Sequence, residues 1–234
     1  MNFLTILFLF QSLNASGNIS TSIEVSISDV PPISYLKEGN LVGINIDILK
    51  QLEKKSNIEF NLTLYPHARL KKSLDSAQPD MLIVYRAVCE KYNETYEVKE
   101  IPNYVYPPYI YLLKTFQVKS HTARVARMIG TCSALRKEFI VKEENIIEVA
   151  SMEQAFKMIE ASRIDGICGN DPVFQYNLAQ YKKLKNKFIN YRKVGDSNDY
   201  HGVVCLKKTL PLSVKNKLEK AAKNLVVPNF HNFL

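Results

Sequence analysis

The chain has 234 residues, 46% hydrophobic and 23% charged, with no low-complexity tract, enough for one or two compact domains with a sizeable core. Its formal charge of +8 comes from scattered lysines, as in KQLEKKS, YKKLKNK and VKNKLEK. They fall at helix-like spacing and read as solvated helix faces. With no arginine-rich arm, zinc-finger spacing or RNP-type aromatic motif, nucleic-acid binding is excluded.

In chain order, MNFLTILFLFQSLNASG comes first. An apolar run from Phe3 to Phe10, then small residues at Ala15, Ser16 and Gly17, predicts a secretory signal peptide over residues 1–17. The competing reading is a buried amino-terminal strand. No later run has transmembrane length, so the mature chain is expected to be soluble and periplasmic. Ile23–Ile27 alternates as a strand, and DVPP breaks it. Leu41–Lys55 is a strand edge running into an amphipathic helix, and Ile58–Tyr65 alternates again.

Two segments then resemble each other. ARLKKSLDSAQPDMLIVYR and EQAFKMIEASRIDGICGND lie in register with Leu74 on Ile159, Asp75 on Glu160 and Asp80 on Asp165. Each reads as a helix, a short link, an Asp and a buried strand ending at polar residues, which predicts two α/β lobes on one plan. The fold class is therefore α/β, with mostly parallel sheets whose ligands bind beyond the carboxyl ends of the strands. PNYVYPPYIYLLK (102–114) and YHGVVCLKK (200–208) are the candidate strands crossing between lobes as a hinge. SVKNKLEKAAKNL is a final amphipathic helix.

Cys89, Cys132, Cys168 and Cys205 contain no CxxC, and the four histidines form no HxxxH-like pair, so no metal is expected, nor a cofactor. Two alternatives stay open: a Cys132–Cys168 disulfide in an exported protein, or four buried free thiols.

PPISYLKEGNLVGINIDILKQL, YPHARLKKSLDSAQPDMLIVYR, ASMEQAFKMIEASRIDGICGNDPVFQY and the closing strand and helix, in that order, resemble the bacterial family 3 extracellular solute-binding proteins. These are the periplasmic components typical of polar amino-acid uptake. The resemblance runs from about residue 22 to 225. It implies a two-lobed periplasmic binding fold with a two-strand hinge, lobe one being residues 20–109 and 202–234 and lobe two 113–200. It also implies a monomer that clamps a small polar solute, an amino acid or similar, and delivers it to an ABC-type membrane permease.

Residue by residue, the resemblance implies six ligand contacts. Asp171 would pair with an amino group, with capping of the helix beginning at Pro172 as the bland alternative. Gly130 and Thr131, ending the strand VARMI and opening a helix, would receive an anionic group. Tyr35 would line the cleft, and Arg69 would reach it from a helix start. Arg86 follows the strand Met81–Tyr85 and would face the cleft. A Thr-Pro-Glu-Arg-like turn usually follows this strand in amino-acid binders, but this chain reads YRAVCEKY. Either Arg86 takes over the carboxylate grip, or the solute is not a standard α-amino acid. Two other functions compete on this scaffold: a secreted dehydratase-like enzyme using a cleft carboxylate, and a sensory module acting on a membrane receptor in trans. No catalytic constellation stands out, so binding without turnover is expected.

Overall fold

The computed structural model describes residues 22–76, 78–115, 122–132, 135, 141–195 and 200–233; side chains 190–192 are excepted. The leader expected over residues 1–17 lies outside them, as does most of the helix expected after Thr131.

The strands are β1 Ser22–Asp29, β2 Tyr35–Lys37, β3 Asn40–Val42, β4 Glu59–Pro66, β5 Met81–Tyr85, β6 Tyr96–Val105, β7 Pro108–Leu113, β8 Val125–Met128, β9 Ile146–Val149, β10 Gly166–Asn170, β11 Phe188–Lys193 and β12 His201–Lys207. The described helices are α1 Ile44–Ser56, α2 His67–Asp75, α3 Arg86–Glu90, α4 Met152–Glu160, α5 Asp171–Gln180 and α6 Leu212–Ala222.

Two five-stranded sheets form, in orders β4-β1-β5-β12-β6 and β11-β7-β10-β8-β9. Read from the β4 and β9 edges, they share one plan. Three parallel neighbours come first, then one antiparallel strand, then a strand running with the first three. The internal repeat maps onto this plan as α2–β5 and α4–β10.

Its aspartates do the same work in both lobes. The Asp80 carboxylate accepts the Glu24 N–H at 3.1 Å and the Asp80 N–H donates to the Glu24 carbonyl at 2.8 Å. The Asp165 carboxylate accepts the Arg124 N–H at 2.8 Å, and the Asp165 N–H donates to the Arg124 carbonyl at 2.8 Å. Each aspartate thus ties the start of the third parallel strand to the strand beside it. Such a residue recurs because the backbone groups there need a partner.

Lobe one is filled by Ile44, Ile46, Ile48, Leu49 and Leu52 of α1, which are 0–1% exposed, together with Val214 and Leu218 of α6. Each such side chain contributes roughly 1.5–3 kcal/mol. α1 begins at Ile44 because Gly43 holds φ 125°, and a Cβ there would lie 2.6 Å from the Ile33 carbonyl oxygen. That close approach lets the Pro32 and Ile33 carbonyls accept the N–H groups of Ile44 and Asn45, at 3.1 and 2.8 Å. The loop itself caps the helix. Lobe two centres on Phe156, Phe174 and Tyr111, the last two stacked with ring centroids 3.6 Å apart.

The chain passes from the first sheet to the second at Tyr106–Pro107, between β6 and β7, and returns between β11 and β12. The crossings run side by side: Val194 N–H donates to the Pro108 carbonyl at 2.9 Å, and His201 pairs with Val105.

Next to this joint, Gly202 sits where a Cβ would fall 2.0 Å from Cδ1 of Tyr104. That ring is buried, and its hydroxyl donates to Asn45 Oδ1 at 2.6 Å, so it has nowhere to move. Gly202→Ala is expected to lower stability by about 1–3 kcal/mol, read by chemical denaturation; an unchanged midpoint would contradict the packing described.

All four cysteines are paired, Cys89 with Cys205 and Cys132 with Cys168, which overturns the free-thiol alternative. The second bridge is the pairing left open by the sequence. The first joins α3 to β12, two parts of lobe one separated by the whole of lobe two in sequence.

Candidate functional site

Both sheets turn the carboxyl ends of their parallel strands toward the same crevice, and side chains from those ends meet across it. Asn170, last residue of β10, donates from Nδ2 to the hydroxyl oxygen of Tyr85, last residue of β5, at 2.7 Å. These two positions are equivalent in the repeat, since Asp80 matches Asp165. Asn170 is held from behind: its Oδ1 accepts the Val173 N–H at 3.0 Å, capping α5, so the amide presents its donor side to lobe one. Tyr85 donates in turn to the Tyr106 carbonyl, at 3.2 Å, at the first crossing. Burial pushes its hydroxyl well above the ordinary tyrosine range, so it stays protonated and keeps both bonds.

A second contact pairs Tyr35, at the start of β2, with Tyr176 of α5, the ring centroids 5.5 Å apart. The third is made by His67, first residue of α2, whose Nδ1 lies 2.9 Å from Ser28 Oγ in lobe one while the ring also hydrogen-bonds the backbone of Ile129 in lobe two. Burial outweighs that backbone bond and lowers the imidazole pKa below its ordinary 6.5. The sign is therefore fixed: the unfolded chain takes up this proton first as the pH falls through 6.5, so stability is present above that value and declines below it. The wild type is expected to lose melting temperature between pH 7 and pH 5 by more than His67→Gln does. Parallel pH profiles in the two proteins would refute this.

Asp171 turns partly inward. Its Oδ1 accepts from the Tyr111 hydroxyl at 3.0 Å and from Gln175 Nε2 at 3.1 Å, both in lobe two. Burial and the neighbouring carboxylate raise the Tyr111 pKa far up, keeping it a donor. The helix cap is Asn170 and not Asp171, which is the first residue of α5.

Thr131 directs both its N–H and its hydroxyl to the Met128 carbonyl, at 3.0 and 2.8 Å. Beneath the Gly130–Cys132 turn lies Arg127, 4% exposed, which donates to the carbonyls of Thr131 and Cys132 at 3.1 and 3.2 Å and pairs with Glu148 at 2.6 Å. That buried guanidinium shapes the turn from below.

Arg86 opens α3 and faces lobe one's own β6, pairing with Glu100 at 2.5 Å and with Glu90 at 3.8 Å. Arg69 lies exposed on α2, two residues beyond His67, and makes no ion pair among the described residues. Of the six residues singled out in the sequence, Tyr35 touches the opposite lobe directly and Gly130 and Thr131 adjoin the Ile129 contact. Neither arginine has a partner across the crevice among the described residues. The strand end RIDGICGND by itself places Asn170 at the crevice; His67 and Tyr176 carry no such signal, and Tyr85 carries one only through the repeat register, which aligns it with Asn170 at the same strand end. Among the described residues no three His, Cys, Asp or Glu side chains converge to hold a metal.

No protein-family model and no curated protein sequence matches the chain. Solved structures do. The substrate-binding protein of an amino acid ABC transporter superposes with a TM-score of 0.66 at 19% identity, over 87% of this chain and 92% of that one. An amino acid ABC transporter substrate-binding protein from Streptococcus pneumoniae, bound to L-arginine, gives 0.68 at 18% identity, covering 87% and 88%. The VFT2 domain of Bordetella pertussis BvgS gives 0.67 at 13% identity, covering 91% of each. With two sheets of one plan, two adjacent crossings and strand ends converging on a shared crevice, the chain has the two-lobed α/β fold of the amino-acid-transporter substrate-binding proteins.

Proposed function

We propose that the chain is a periplasmic solute-binding protein that closes its two lobes on a small polar solute carrying a cationic group and presents it to a membrane permease. Residues 20–109 with 202–234, and 113–200, are the units that move. The observation carrying this reading is the Asn170–Tyr85 bond at 2.7 Å between equivalent strand ends of the two lobes. A crevice whose walls meet in this way binds by difference: a solute touching both walls favours the closed form by the contacts that the open form lacks.

Asp171 supplies the negative charge. Both of its internal donors take Oδ1, and Oδ2 is assigned to the solute's ammonium or guanidinium, where a charge-assisted bond is strongest. Tyr35, Gly130 and Thr131 line the crevice beside it. Arg86 is committed to Glu100 and Glu90, whereas Arg69 makes no ion pair among the described residues. Arg69 is the candidate partner for a solute's anionic end. The Ser28–His67 pair is a positioning pair rather than a nucleophile and base, since the second ring contact of His67 goes to a backbone group and not to a carboxylate.

The test is a thermal-shift and calorimetric panel on refolded protein, with L-arginine, L-glutamine, polyamines and small carboxylates. A cationic solute at a hundred times its dissociation constant should add about 2.7 kcal/mol. Asp171→Asn keeps an acceptor for Tyr111 and removes the charge. It is expected to weaken that solute by roughly tenfold or more, about 1.5–3 kcal/mol for a bond to a charged group, with the fold intact. A panel with no hit, or an Asp171→Asn protein that binds as tightly as its parent, would sink the assignment.

A further inference from the structure

The segment following α6 has no part in either sheet, yet it is anchored at several points. The Gln51 side-chain amide donates to the Val226 carbonyl at 2.8 Å and accepts the Val226 N–H at 3.0 Å. Lys55 donates to the Asn224 carbonyl at 3.0 Å. Leu225 is buried in the lobe-one core, and Val227, Phe230 and Phe233 pack against it. The last turn is also tied to itself, with Asn229 accepting the N–H groups of His231 and Asn232 at 3.0 and 3.1 Å.

From that anchorage the segment reaches the other lobe. The Phe230 ring stands edge-on to Tyr106, centroids 6.1 Å apart at 89°, and also packs on the His231 ring at 4.1 Å. Tyr106 is the residue at which the chain first crosses between lobes, and its carbonyl receives the Tyr85 hydroxyl that meets Asn170. The turn Phe230–Phe233 lies alongside α5, with Cα atoms within 8 Å of that helix. α5 belongs to lobe two, and Asn170, Asp171 and Tyr176 all sit at its start or on it.

We propose that residues 226–233 form a strap, a further non-covalent connection between the lobes that holds α5 toward lobe one and so raises the population of the closed form. Two adjacent crossing strands act as a pivot. They resist separation of the lobes but oppose rotation weakly. A contact made away from the pivot, on the helix that bears the crevice residues, opposes rotation directly. The inference rests on the lobes moving as units and is independent of which solute they take.

The experiment compares the full chain, Phe230→Ala and a chain ending at Val227 by small-angle X-ray scattering with no solute added, each checked for native circular dichroism. Phe230→Ala should raise the radius of gyration and lower the closed-to-open ratio roughly tenfold, about 1.4 kcal/mol; the shortened chain should shift at least as far. If either change unfolds the protein, Phe230→Leu decides, since it keeps an apolar anchor in lobe one and removes the ring from Tyr106. Folded variants with the parent's radius of gyration would overturn the strap. A silent solute panel would leave it standing, so the two proposals fail separately.

Discussion

Replacing both Cys89 and Cys205 by alanine is expected to cost the oxidised protein about 4.9 kcal/mol on loop-closure entropy alone. The two residues are 116 apart in sequence. The bridge therefore closes a loop that contains all of lobe two, and it joins β12 and α3, parts of lobe one that the chain otherwise connects only through that lobe. Without it, the unfolded chain regains the freedom of the whole excursion. The Cys132–Cys168 bridge spans 36 residues inside lobe two, and its loss should cost less, about 3.8 kcal/mol. Guanidinium unfolding of the two double-alanine variants measures both values. Equal losses, or a loss below about 1 kcal/mol for the long loop, would show that the unfolded ensemble is not what the bridge restrains. Cys89 and Cys205 are 0% exposed, so reductant added to the folded protein is expected to act only as fast as lobe one opens.

Asn170→Ser separates two roles of one side chain. Serine is as good an N-cap as asparagine, so α5 keeps its start, but serine is too short to reach the Tyr85 hydroxyl. On the proposed closure, a bond that joins different lobes is made in the closed form and lost in the open one, so its value enters the open–closed balance. A neutral hydrogen bond contributes about 0.5–1.5 kcal/mol, so solute affinity should fall roughly three- to tenfold while the melting temperature of the solute-free protein changes little. Asn170→Leu removes the cap as well and should lose both affinity and stability. Parental affinity in Asn170→Ser would remove the cross-lobe bond from the mechanism.

Together with the His67 profile, these variants separate what holds each lobe together from what holds the lobes to each other. The disulfides and the Asp80 and Asp165 ties act within a lobe. Asn170–Tyr85, Tyr35–Tyr176 and His67–Ile129 act between lobes and involve no full charge pair. Interlobe contact should accordingly respond to burial and to the protonation of His67 much more than to ionic strength.

The sequence by itself determined the elements and their plan. Alternation marked β1 and β4, helical spacing marked α1 and α6, and the Met81–Tyr85 strand has the same limits in the structure. The repeat of helix, aspartate and strand announced two α/β lobes. This was legible because periodicity and turn chemistry are local, and each lobe must bury the same kind of face. Which side chains face the crevice was not local. Arg86 and Tyr85 are neighbours in sequence, yet one turns to Glu100 on β6 and the other reaches Asn170, because the strand ends at Tyr85 and the first residue of α3 leaves in another direction. Asn170 and Asp171 divide in the same way, the amide going across the crevice and one carboxylate oxygen going back to Tyr111. The Cys89–Cys205 bridge, the buried Arg127 and the strap at Phe230 likewise depend on contacts between residues far apart in the chain. Only the packed tertiary structure decides such pairings, since a one-residue change at a strand end reverses the direction of a side chain without altering the pattern that predicts the strand.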